Sequence, residues 1–115
     1  MDYTVIHTSD LSAMRSFYET VLRFRVTREL SPRWVEYNFG AQTFALAGRA
    51  AGDPAGPSPL QLAFRVPAGA VTACAAALEA AGVALERPVT DHAFGHRTVF
   101  FRDPDGNLLE IYAEL

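Results

Sequence analysis

The chain has 115 residues, half of them apolar and a fifth charged, with a formal net charge of -3. That length suits one domain with a real core, and the acidic balance leaves no basic footprint for nucleic acid. No apolar run approaches a membrane span, the N-terminus lacks the basic and apolar regions of a leader, and the single Cys74 can form no internal disulfide and no zinc site alone, so the expected protein is soluble and cytoplasmic.

Residues 3–8 (YTVIHT) are rich in β-branched and aromatic side chains and predict a short strand, with Tyr3, Val5 and His7 on one face. Asp10 is a good N-cap for a helix. From 11 to 22 the apolar positions Met14, Phe17, Tyr18, Val21 and Leu22 form one stripe of that amphipathic helix. Residues 24–28 predict a strand and Ser31-Pro32 a break. Residues 34–39 then predict a strand, Gly40-Ala41 a turn, and 42–47 its hairpin partner. Alternation puts Trp34 with Glu36 and Tyr37 with Phe39, so one pair lines a pocket and the other packs under a helix.

Residues 48–59 (GRAAGDPAGPSP) hold nothing that could pack a core and read as a linker. Beyond them the order of elements recurs. Residues 60–66 predict a strand, 70–81 a helix with Val71, Cys74, Leu78 and Ala81 on one stripe, and Gly82 its C′ residue. A short strand over 83–86 and two more strands complete the chain. Strand, helix and about three strands, twice, is a duplicated βαβββ unit: module one over about 1–48, linker 49–59, module two over about 60–115. The predicted architecture is α+β, two βαβββ modules forming a cupped mixed sheet around a cavity, helices on the outside.

The stretch 94–112 (FGHRTVFFRDPDGNLLEIY) is the most informative. It predicts a strand over 98–101, a turn in which Asp105 and Asn107 bond their own backbone and Gly106 takes φ > 0, and a strand over 108–112. In that last strand Leu109 and Ile111 face one way, Glu110 and Tyr112 the other. A carboxylate amid apolar neighbours needs a partner or a ligand.

These residues carry a resemblance. Ser9-Asp10-Leu11 with Ser16-Phe17-Tyr18 and Val21-Leu22, then 62–66 (LAFRV), 78–83 (LEAAGV), 94–97 (FGHR) and 101–110 (FRDPDGNLLE) resemble the vicinal oxygen chelate superfamily, the group of glyoxalase I, bleomycin resistance proteins and extradiol dioxygenases. The resemblance covers nearly the whole chain and implies paired βαβββ modules and a homodimer. Metal-dependent members hold a divalent ion (Zn, Fe, Mn or Ni) with His, Gln or Glu from the first and last strands of each module. In this sequence the matching positions hold Glu110, Gln61 where His is usual, Tyr3 where His is usual seven residues before Asp10, and Ala45. One carboxylate, an amide, a phenol and a methyl group make a poor site, since hard and borderline cations want several charged or imidazole ligands. His7 joins such a set only in a shifted register. Arg23 also departs from the pattern, because family members often carry Gly there.

The expected protein therefore binds a small molecule near Glu110 and holds no tight catalytic metal. Its candidate ligand-binding residues are Tyr3, His7, Trp34, Tyr37, Gln61, His96, Arg97, Glu110 and Tyr112, with Glu110 and His7 the candidates for any catalysis. His96, beside Gly95, matches a place where family members often touch ligand, whereas His92 reads as a solvated loop residue. Three readings stay open: a metal-free binder similar to bleomycin resistance proteins, a metal-dependent lyase, isomerase, dioxygenase or thiol transferase using Glu110, Gln61, Tyr3 and His7 around a divalent ion, and a metal-free enzyme with Glu110 or a histidine as general base.

Overall fold

A computed structural model describes residues 3–49 and 60–115. The expected linker therefore lies, beyond Arg49, outside the described residues. The chain divides into two compact units, Met1–Pro57 and Ser58–Leu115. Both have the order strand, helix, three strands, and each builds its own four-stranded mixed sheet.

In module one the sheet order is β1-β4-β3-β2. β1 (Thr4–Thr8) runs parallel to β4 (Gln42–Gly48), while β3 (Trp34–Phe39) pairs antiparallel with β4 and with β2 (Val26–Ser31). The Asp10 carboxylate caps α1 (Leu11–Ser16), accepting from the Ala13 N–H at 3.0 Å. The helix predicted over 11–22 does not run through as an α-helix. Phe17–Val21 is a π-helical turn closed by the Leu22 N–H on the Phe17 carbonyl at 3.0 Å, and it buries Phe17 and Tyr18 together. An apolar stripe of this length fits both helix types, so the periodicity could not separate them. The chain leaves through Arg23 at φ +60°, the left-handed conformation in which a glycine is usual.

The core of module one is aromatic. Tyr18 lies 4.9 Å from the Phe44 ring and 5.7 Å from Phe24, which lies 5.5 Å from Phe39. Alternation in β3 is as predicted: Val35 and Tyr37 are fully buried and Trp34 and Glu36 half-buried. β2 begins and ends later than expected. It is an exposed edge strand with two register shifts, so little apolar alternation marks it.

Module two repeats the plan as β5-β8-β7-β6. β5 (Gln61–Arg65) is parallel to β8 (Leu108–Glu114), which pairs antiparallel with β7 (His96–Arg102), which pairs with β6 (Leu85–Asp91). α2 (Ala70–Ala80) packs on β6, β7 and β8. Its buried stripe is Val71, Ala75 and Leu78; Cys74 is only half-buried and Ala81 is exposed. Val71 and Leu78 from the helix and Val99, Phe101, Leu109 and Ile111 from the strands form the core between them. β6 starts two residues later than expected and runs through Pro88, which an edge strand tolerates.

The turn between β7 and β8 is organised by Asp103 rather than by Asp105. Asp103 is 5% exposed, and its Oδ1 accepts from the N–H of Asp105 (3.0 Å) and of Asn107 (2.9 Å). Its Oδ2 accepts from the Asn107 side-chain amide at 2.9 Å, and Gly106 supplies φ +88°. These bonds close the turn on itself, and the register of the last hairpin is set by it.

Candidate functional site

Each sheet has one face under its helix and one face turned the other way. On the second face of module two, the register places side chains in straight rows across the strands. Glu110 pairs with Ala63 of β5 on one side and Phe100 of β7 on the other, and Phe100 pairs with Arg87 of β6. The row before it carries Gln61, Leu108 and Arg102; the row after it carries Arg65, Tyr112 and Thr98. Glu110 is half-buried there and accepts a hydrogen bond from the Gln61 side-chain amide at 3.1 Å. Gln61 and Tyr112 thus share its face, as strand parity requires.

Beyond Tyr112 the same face holds a run of rings. His96 stacks on Tyr112 at 4.9 Å, Phe94 meets His96 edge-on at 5.1 Å, and His92 stacks on Phe94 at 5.0 Å. His92 is not a merely solvated loop residue, for its Nε2 lies 2.7 Å from the hydroxyl of buried Thr98. Phe94, at the tip, is 73% exposed. On the other side of Glu110 lies a cleft of about 270 Å³ lined by Glu86, Arg87, Phe100, Arg102 and Leu108. Arg102 is paired with Glu86 at 2.5 Å and donates to the Gly106 carbonyl at 2.9 Å. Arg87 lies 5.7 Å over the Phe100 ring.

None of these cleft residues is a sequence candidate. Phe100 could be found by counting outward from the five-residue turn, which sets 102 against 108 and hence 100 against 110. Arg87 could not, because two register shifts intervene between β6 and β7.

Two sequence candidates sit elsewhere. Arg97 pairs with Ala113, on the helix side of the sheet and opposite to Glu110. Its guanidinium forks onto Asp91 at 2.6 and 3.0 Å, which raises Arg97 above its ordinary value and lowers Asp91. Tyr37 is fully buried in the core of module one, with its hydroxyl donating to Glu19 at 2.7 Å. Alternation pairs Tyr37 with Phe39, but only packing decides which face turns inward.

The second face of module one carries the remaining candidates. His7, Ala47 and Trp34 form one row, and Val5, Ala45 and Glu36 the next. Tyr3 is 52% exposed and meets the Trp34 ring edge-on at 6.2 Å. Trp34 Nε1 donates to Glu36 Oε2 at 2.8 Å, so Glu36, absent from the sequence candidates, is the carboxylate of this face.

The donors do not suit a divalent ion. Within module two the ion would meet the Glu110 carboxylate and the Gln61 amide, flanked in the row by the carbon side chains of Ala63 and Phe100. Within module one, Tyr3 and His7 flank Val5, whose neighbour in β4 is the methyl group of Ala45. Among the described residues no three of His, Cys, Asp and Glu gather as a metal-binding group.

A family model for the glyoxalase/bleomycin resistance protein/dioxygenase superfamily matches residues 1–111. The chain belongs to this superfamily. No curated protein matches it, but many solved structures do. A virulence protein from Salmonella typhimurium is similar at 27% identity, with a TM-score of 0.80 over 100% of this chain and 96% of that one. A lactoylglutathione lyase from Agrobacterium tumefaciens has 24% identity and a TM-score of 0.80, covering 98% of this chain and 92% of its own. A glyoxalase/bleomycin resistance protein/dioxygenase from Nocardioides has 22% identity and a TM-score of 0.78, covering 100% and 83%. At 24% and 22% identity the likeness speaks for the fold of the superfamily, which hosts many chemistries. No helix among the described residues is long and apolar enough to cross a membrane.

Proposed function

We propose that this superfamily member binds an organic small molecule on the second face of module two, with Glu110 and Gln61 as the polar anchor and no tightly held metal ion. One observation carries the reading. Among the described residues the Glu110 carboxylate is oriented by a single amide at 3.1 Å, and it sits in a row between a methyl group and a benzene ring. A carboxylate offers about four lone-pair sites, so one amide leaves most of its accepting capacity for a ligand hydroxyl or amine. Phe100 and Tyr112 supply flat apolar surface beside it, the usual make-up of an organic site with a few convergent polar groups. A cation, by contrast, would be surrounded mainly by carbon.

Elemental analysis of untagged protein, followed by titration with Ni, Mn, Fe and Zn, tests the metal-free part. The expected result is a substoichiometric ion content unaffected by Glu110→Ala. A stoichiometric ion whose binding disappears in Glu110→Ala would overturn the reading. A thermal-shift screen against antibiotics and aromatic metabolites tests the binding part, with stabilisation lost in Glu110→Ala as the expected outcome.

A further inference from the structure

The cleft next to Glu110 has a sign. Three charged groups line it, and Glu86 is neutralised by Arg102 at 2.5 Å. Arg102 is further held by the Gly106 carbonyl, so its charge is already paired with Glu86 and two of its five donors are taken. Arg87 is different. It is exposed, makes no ion pair among the described residues, and is steadied by the Phe100 ring beneath it. A guanidinium held over an aromatic ring by a cation–π contact keeps its N–H donors open to a planar anion.

Position gives the second half of the argument. Arg87, Phe100 and Glu110 occupy one continuous row across β6, β7 and β8. Adjacent strands are about 4.8 Å apart, so the backbones carrying Arg87 and Glu110 are separated by about 10 Å, with an aromatic ring between them. Base, aromatic ring and acid in line form a template for a ligand with an anion at one end, an apolar body, and a hydrogen-bond donor at the other.

We infer that the ligand of this face is a small carboxylic acid with an aromatic or apolar body and a distal hydroxyl or amine, its carboxylate in the cleft against Arg87 and its donor on Glu110. This rests on the proposed use of the second face of module two and adds the charge and orientation of what binds there. Arg87 is the specificity residue, acting through a charge-assisted pair that a neutral amide cannot make.

The test uses 3-(4-hydroxyphenyl)propanoate and its primary amide as probes, titrated at millimolar concentration into the full, isotopically labelled chain and followed by backbone amide resonances. Wild type, Arg87→Gln and Arg25→Gln are compared; Arg25 is exposed in module one and controls for the loss of one positive charge. In wild type the acid is expected to bind about tenfold more tightly than the amide, moving the resonances of Arg87, Phe100, Leu108 and Glu110. Arg87→Gln should erase that preference and Arg25→Gln should keep it. If acid and amide move these resonances with equal affinity, the anionic cleft is overturned while the second-face reading stands. If the preference survives Arg87→Gln, or neither probe moves them, the inference fails, and the reading beneath it is decided by its own ligand screen.

Discussion

The Tyr37 hydroxyl donates to the Glu19 carboxylate at 2.7 Å, tying the centre of β3 to the π-helical turn above it. Arg15 binds the same carboxylate at 2.7 Å and reaches Glu29 of β2 at 2.6 Å, so the relay joins helix, central strand and edge strand. Burial and the Glu19 bond both push the Tyr37 phenol well above its ordinary 10.0. Burial also opposes ionisation of Glu19, but the bonds from Arg15 and Tyr37 outweigh it and hold the carboxyl below its usual 4.5.

The signs of these shifts predict where stability is lost. Tyr37 has a raised folded value, so its contribution is complete below pH 10.0 and is lost as pH climbs from there through the folded value. Glu19 has a lowered one, so its contribution is complete above pH 4.5 and disappears as pH falls through the folded value. Tyr37→Phe keeps the ring and removes the hydroxyl. It should cost about 1 kcal/mol near neutral pH, and its urea midpoint should fall less than that of wild type between about pH 9 and about pH 11. A parallel alkaline decline in both proteins would show that this hydroxyl does not control it.

How much of the fold and the site is legible in the sequence depends on whether a feature is local. The 40–41 turn, the Asp10 cap and the facing of Glu110 with Tyr112 come from residue chemistry and a period of two, and the structure agrees with each. Edge strands are less legible. β2 and β6 bury little and contain register shifts, and Pro88 within β6 lacks the N–H that a central strand would need and fits only because β6 is an edge strand. Which face of a strand turns inward is a tertiary decision. For that reason Tyr37 and Arg97, both on strands, are expected beside the ligand although one lies in a core and the other on the helix side. The cleft is illegible because Arg87 meets Phe100 only through a shifted register.

Arg23 has the left-handed φ of +60° and an exposed side chain, so its conformation costs something that no contact of a buried group offsets. A side-chain-bearing residue in this region is strained by about 1–2 kcal/mol, and glycine gives back part of the gain through its freer unfolded chain. Arg23→Gly should therefore raise stability by about 0.5–1 kcal/mol, seen as a higher urea midpoint at unchanged slope. An unchanged or lowered midpoint would mean that the guanidinium contributes more than its exposure suggests.

Asp103 is the opposite case, a buried carboxylate whose two oxygens both serve the turn. Its removal in Asp103→Ala would leave the N–H groups of Asp105 and Asn107 without their acceptor, and Asn107 is 3% exposed. Orphaned buried donors cost about 1–3 kcal/mol each, so a loss of about 2–4 kcal/mol is expected in chemical denaturation. Asp103→Asn keeps one acceptor oxygen and should recover about half. Equal losses for both variants would place the requirement on the charge rather than on the turn.

Glu110 separates ligand anchoring from structural need. Among the described residues the carboxylate has one modest partner, the exposed Gln61, and carbon neighbours in its row, so none of them demands it for folding. A residue kept for a ligand at some cost to the apo fold is stabilised by replacement with an apolar side chain of similar volume. Glu110→Leu should leave urea stability unchanged or raise it by about 0.5–1 kcal/mol, while abolishing the ligand-induced thermal shift of the wild type. A loss of more than about 2 kcal/mol would make Glu110 a structural residue, since a charge that merely awaits a ligand contributes no such support to the empty fold.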